Sequence, residues 1–208
     1  MTVDRYLHEG AWDELLAHLH LGGQSSDELL GSLYGDFVKG PLAGRFSPKT
    51  ETAIQLHRTI DAFTDAHGLV KRALSRFPNE KRRYAGIALD MFFDHCLARD
   101  WEQYSNVPLD DFAQQIYGIL EAEPNLPPSL AQVVPLMISE DWLCAYRDFE
   151  MIGYGLGIIS MRLSRPEVLD GLFEHLEGNY ELLSADFSEF YPALQDFARV
   201  PADADPMC

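Results

Sequence analysis

Apolar residues recur at three- and four-residue intervals through most of the chain, and strict apolar–polar alternation is scarce. That period is helical. The stretch SSDELLGSLYGDFV (25–38) opens with serines suited to capping and places acids in the first turn. SPKTETAIQLHRTIDAFTDAHG (47–68) predicts a helix with Ser47 as N-cap, Pro48 at its first position and Gly68 as its stop. Pro78 and Asn79 are expected to begin another helix that runs to about Tyr104, and Pro108 one that runs through Glu121. EPNLPP (123–128) reads as a loop. Helical pattern resumes from Ser129 to about Leu163, broken near Ser139–Asp141. After Pro166 comes one long segment, with Leu169, Leu172, Phe173, Leu176, Tyr180, Leu183, Phe187 and Phe190 on its apolar positions. The pattern predicts an all-α fold with a single helical domain.

Three features of composition narrow the function. At 208 residues and 47% hydrophobic, the chain can build one sizeable core, and no apolar run approaches the roughly 20 residues of a membrane span. Cys96, Cys144 and Cys208 are widely spaced and odd in number, and the N-terminal residues lack the basic and apolar regions of a signal peptide, so a cytoplasmic protein is expected. The net charge of −17 opposes general binding to nucleic acid. Against that background, KRALSRFPNEKRR (71–83) carries Lys71, Arg72, Arg76, Lys81, Arg82 and Arg83 against one acid, Glu80. Such an island can select an acidic partner that the rest of the surface repels. It also reads as a solvated helical edge.

The candidate chemistry lies where polar groups interrupt apolar helix. In LDMFFDHCLARDW (89–101), Asp90 and Asp94 share a helical stripe, and His95 lies about 100° round from Asp94. In HRTIDAFTDAH, His57, Asp61 and Asp65 fall at i, i+4 and i+8. His18 and His20 sit in LLAHLHL, and Asp36 sits between Tyr34 and Phe37. A buried carboxylate without a partner costs several kcal/mol, on the order of what a pair or a cation must offset. Arg58 and Arg99 would serve as ion-pair partners. A shared divalent cation would account for all four segments together. Mixed imidazole and carboxylate donors suit Mn²⁺, Fe²⁺, Mg²⁺ or Zn²⁺, and the oxygen-rich balance favours the harder ions.

The segments LAHLHL (16–21), GDFVKG (35–40), LHRTIDAFTD (56–65) and LDMFFDHCLARDW (89–101) resemble the acyl carrier protein phosphodiesterases, an atypical branch of the HD-type metal phosphohydrolases. The resemblance runs from about Leu16 to about Ala198 and implies an HD-like domain over 16–198, an N-terminal extension at 1–15 and a tail at 199–208. It implies a phosphoric diester hydrolase that splits 4′-phosphopantetheine from a serine of holo-acyl carrier protein, with a divalent ion, usually manganese. Carried over motif by motif, it places Asp36, His57, Asp61, Asp94 and His95 at the metal, and Asp36, Asp61 and Asp65 in catalysis. Arg58, beside the His57 stripe, is a further catalytic candidate that would neutralise a phosphate oxygen, or else pair with Asp61 or Asp94. His18, His20 and Asp90 would stand behind the ligands, and Lys71, Arg72, Arg76, Lys81, Arg82 and Arg83 would steer the acidic carrier. Two other function classes fit the residues. One is an HD-type hydrolase of nucleotides or other small phosphodiesters; the other is a non-catalytic helical binding protein whose Asp and His groups are tied up in ion pairs.

Overall fold

The computed structural model describes residues 15–161 and 163–199. The expected N-terminal extension except Leu15, and the expected tail except Arg199, lie outside them. The described residues form α-helices and short 3₁₀ turns, with no strand among them. The α-helices are α1 (Leu15–Leu21), α2 (Ser26–Phe37), α3 (Pro48–Ala66), α4 (Gly68–Ser75), α5 (Arg82–Arg99), α6 (Leu109–Ala122), α7 (Pro128–Ser139), α8 (Trp142–Ala145), α9 (Glu150–Ser160), α10 (Leu172–Gly178) and α11 (Tyr180–Arg199).

Helix α5 is the axis of the fold, packed by α1, α4, α9, α10 and α11. Every side chain from Met91 to Ala98 is buried. A helix enclosed on all sides shows no polar face, which is why this segment reads as a solid apolar run interrupted by costly polar groups. Its start is later than expected: the Pro78 carbonyl accepts from the Lys81 and Arg82 amides, so Pro78 opens a turn and the helix begins at Arg82. Its end is earlier, at Arg99, with a 3₁₀ turn at Trp101–Gln103.

Helices α2 and α3 form a close parallel pair: Asp27, Gly31 and Gly35 along α2 meet Ser47, Thr50 and His57 in the same order along α3. Ser25 and Glu28 make a reciprocal capping box at the start of α2, and the Ser47 hydroxyl accepts from the Thr50 amide at the start of α3. The pair approaches closely because Gly31 and Gly35 share one stripe of α2. A Cβ on Gly31 would lie 2.5 Å from the Thr50 carbonyl oxygen, and one on Gly35 would lie 2.1 Å from Cγ of His57. Helix α3 stops at Ala66, before Gly68. His67 is extended, and its Nδ1 accepts from the Leu69 amide, so it closes one helix and opens the next.

In the C-terminal half, the expected break at Ser139–Asp141 is a left-handed Asp141, φ +47°. The long segment expected after Pro166 is two helices. A 3₁₀ turn (Pro166–Leu169) leads to Gly171, left-handed at φ +74°, and Asn179 separates α10 from α11. The aromatic residues of α11 still enter the core: Phe187, Phe190 and Tyr191 are buried, against Phe93 and Tyr104.

Candidate metal centre

Three helices from the first third of the chain bring four polar side chains together. His57, on α3, is buried where Gly35 leaves room for its ring. Its Nδ1–H donates to the Ser32 carbonyl at 2.8 Å. That bond turns Nε2 toward two carboxylates, Asp36 Oδ1 at 3.3 Å and Asp61 Oδ2 at 3.5 Å. Asp61 lies one turn after His57 on α3, as the i, i+4 spacing requires. Its other oxygen, Oδ1, is 3.0 Å from Nε2 of His18 on α1. The His18 and His57 rings stack, with centroids 3.7 Å apart.

The electrostatics of the cluster follow from this arrangement. Burial disfavours a charged His57, but Asp36 and Asp61 outweigh it and raise the ring above its ordinary value. Burial, with His57 alongside, pushes His18 down despite its bond to Asp61. Asp61 is pushed up by burial, yet the His18 hydrogen bond and the nearby His57 and Lys39 charges hold it below its ordinary value. The carboxylates thus favour a proton on His57 over one on His18, whose ring stacks on it.

Donor atoms of His18, His57 and Asp61 lie within 4.8 Å of one another, as ligands of a single ion do. Asp36 adds a further carboxylate beside His57. Two imidazole nitrogens with carboxylate oxygen form a donor set that fits a divalent transition metal. Half of the Asp61 side chain, 47%, is exposed, which leaves the cluster open to solvent on one side.

The structure separates the other candidates from this cluster. Asp94 is fully buried, and its two oxygens accept from the Leu16 and Ala17 amides, each at 2.8 Å. His95 points elsewhere, as adjacent residues on a helix must: Nδ1 donates to the Tyr146 carbonyl and Nε2 meets the Tyr180 hydroxyl, both at 2.8 Å. With both ring nitrogens committed inside an aromatic cage, His95 is not one of the converging donors. His20 lies two residues from His18, about 200° round the helix, and bonds the Tyr191 hydroxyl at 2.6 Å and the Tyr104 carbonyl at 3.2 Å. It anchors α1 to the core. Asp90 is half-buried one turn before Asp94, and Asp65 is exposed one turn beyond Asp61.

Arg58 donates to the Val38 carbonyl at 2.7 Å. It fastens the end of α2 to α3 and so supports Asp36. Two residues take parts that the sequence did not suggest. His18 joins the converging donors themselves, although an apolar run around a histidine does not show which way the ring faces. Lys39, exposed after the end of α2, lies close enough to Asp61 to act on its charge. Its signal was the lysine of GDFVKG.

The basic stretch divides. Arg72 and Arg76, one turn apart, both clamp Asp186 of α11, which is only 1% exposed. Arg72 also reaches Glu189 at 3.1 Å. These two arginines therefore join α4 to α11, and much of their charge is neutralised there. Lys71, Lys81 and Arg82 donate to backbone carbonyls and make no salt bridge among the described residues, though Lys81 lies near enough to Glu167 to act on its charge. Arg83 lies over the Tyr84 ring. Lys81, Arg83 and Tyr84 line a cleft of about 360 Å³ with Glu80, Arg165, Glu167 and Val168.

No helix among the described residues is long and apolar enough to cross a membrane. A protein-family profile described as acyl carrier protein phosphodiesterase matches residues 14–194. An acyl carrier protein phosphodiesterase of Serratia proteamaculans (strain 568) is 37% identical over 186 residues, covering 88% of this chain and 96% of the relative. One from Escherichia coli O45:K1 (strain S88) is 37% identical over 188 residues, with the same coverage. No solved structure matches the chain.

Proposed function

The chain belongs to the acyl carrier protein phosphodiesterase family, and from that membership we propose that it hydrolyses the phosphodiester joining 4′-phosphopantetheine to a serine of holo-acyl carrier protein. The products are the apo-carrier and free 4′-phosphopantetheine. The observation that carries this is the convergence of His18, His57 and Asp61 at one half-open point.

In this reading His18, His57 and Asp61 hold a divalent ion, Mn²⁺ by preference, with Asp36 beside them. When bound, the ion offsets phosphate charge and acidifies a water molecule. The chain's own groups prepare the place for it. The Ser32 carbonyl fixes the ring of His57. Asp61, held ionised, faces both histidines. Lys39, at the exposed side, is placed to neutralise a phosphate oxygen. Arg58 serves by keeping Asp36 against α3. Gly35 lets the whole group close. Asp65, further along α3, would act only from the solvent side.

The acidic carrier is received by the positive charge that the fold leaves uncancelled. That charge comes from Lys71, Lys81, Arg82 and Arg83; Arg165, across the cleft, pairs with Glu167 at 3.1 Å, and Arg72 and Arg76 belong to the α4–α11 joint. A cytoplasmic location accompanies this reading, and Cys96 and Cys144 as free thiols suit a reducing compartment.

Incubation with holo-acyl carrier protein and Mn²⁺, followed by mass spectrometry of the carrier, tests the function. Loss of the phosphopantetheine mass supports it. An unchanged carrier, alongside hydrolysis of nucleotides or bis(p-nitrophenyl) phosphate, would assign the chain to small phosphodiesters instead. No turnover of any of these, with no Mn²⁺ bound, would leave a non-catalytic binding protein.

A further inference from the structure

Asp94 was expected at the metal, yet both of its oxygens are turned to the backbone of α1. We propose that Asp94 is a positioning residue: its buried carboxylate holds the first turn of α1 so that His18 meets Asp61 and stacks on His57.

Asp94 bonds the backbone of α1 where its described residues begin: the Leu16 amide donates to Oδ2 and the Ala17 amide to Oδ1, at 2.8 Å each. Both bonds are charge-assisted. The carboxylate is 0% exposed, so these bonds are not weakened by competing water.

His18 is the residue after Ala17. The grip of Asp94 therefore ends one residue from the imidazole that reaches Asp61 at 3.0 Å. On the other face of α1, His20 is tied to Tyr191 and Tyr104. The short helix is held at both ends of its inward surface, with His18 between the two attachments. The remaining donors do not depend on α1. Asp36 comes from α2, His57 and Asp61 come from α3, and Gly31 and Gly35 seat those two helices on each other. Loss of Asp94 should thus remove the contribution of His18 and leave the α2–α3 part in place.

This rests on the assignment of His18, His57 and Asp61 as the set that holds the metal, and the test separates the two. Asp94→Asn, His18→Ala and the double variant are made in the full chain. Mn²⁺ affinity of the metal-free proteins is measured by calorimetry, and kcat and KM are measured on holo-carrier. Asp94→Asn should weaken Mn²⁺ binding by about 10–100-fold and lower kcat without raising KM. The double variant should bind Mn²⁺ no more weakly than His18→Ala alone, because Asp94 acts through His18. Wild-type affinity in Asp94→Asn overturns the proposal, as do effects that multiply in the double variant. Wild-type affinity in His18→Ala overturns the metal assignment and the proposal with it. Should Asp94→Asn not fold, Asp94→Glu keeps the charge but displaces α1 by a methylene. Weakened Mn²⁺ binding in that folded variant supports the proposal, and wild-type binding overturns it.

Discussion

His18 and His57 stack face to face, with ring centroids 3.7 Å apart and planes inclined by 17°. Two imidazoles so close disfavour charge on both, and the neighbouring carboxylates raise His57 while burial and His57 lower His18. The rings also direct Nε2 of each toward Asp61. Replacing His57 or Asp61 with Ala is expected to abolish measurable Mn²⁺ binding and to lower activity on holo-carrier by at least about 100-fold. Calorimetry with Mn²⁺ and a mass assay on the carrier check this. Full binding in either variant would place the metal elsewhere.

Gly35 and Gly86 provide a matched pair. A Cβ on Gly35 would lie 2.1 Å from the His57 ring, whereas one on Gly86, in α5, meets nothing within 4 Å. Gly35→Ala is expected to cost about 1–3 kcal/mol through overpacking and to suppress activity by displacing His57. Gly86→Ala should be neutral, or stabilising by up to about 1 kcal/mol from helix propensity. Thermal melts and turnover of both variants, side by side, decide the point.

The Arg72–Asp186–Arg76 clamp is a joint between α4 and α11. Asp186→Ala removes the buried carboxylate from two partly exposed arginines, of which Arg72 keeps Glu189, and a loss on the order of 5 °C in Tm is expected. Lys81→Glu combined with Arg83→Glu should leave Tm nearly unchanged and raise KM for the carrier about tenfold. Turnover of a small phosphodiester should be unaffected. A KM for the carrier equal to that of the wild type would remove these cations from docking.

His95 makes stability depend on pH. Burial pushes it below its ordinary value of 6.5, opposed by its bond to Tyr146 and assisted by Arg99. The unfolded chain therefore binds a proton that the folded ring resists. The contribution is complete above pH 6.5 and is lost as pH falls below it, by at most about 1.4 kcal/mol per pH unit for one proton. His95→Gln is expected to melt earlier at about pH 8 but to lose less Tm than wild type on acidification to about pH 5.5. An identical pH slope in variant and wild type would count against this origin.

The helical fold was legible because periodic apolar positions, Ser47 with Pro48, and the polar break at Asp141 all act locally. Within the site, His57 and Asp61 could be read together because i, i+4 spacing on one helix brings them to one stripe whatever else packs around it. Asp94 and His95 could not be resolved that way. Neighbours on a helix diverge by about 100°, and only the packing of α1 on one side and α11 on the other decides what each one meets. The same limit explains Arg72 and Arg76. A run of cations does not reveal that a buried aspartate more than 100 residues away, Asp186, faces two of them. Where pairing is local, spacing is informative; where it depends on tertiary contacts, a helical stripe leaves several partners open.

The bonds from Leu16 and Ala17 to Asp94 span 78 and 77 residues of chain. During synthesis the α2–α3 pair can close as soon as both helices are out, because its contacts are near in sequence. The described first turn of α1 also packs near α2 but bonds its backbone amides to α5, and is expected to complete its docking once α5 has emerged. His18, the candidate donor on α1, is therefore expected to take its place after His57 and Asp61. A nascent chain truncated before Asp94 is expected to carry all three residues without holding them as one set.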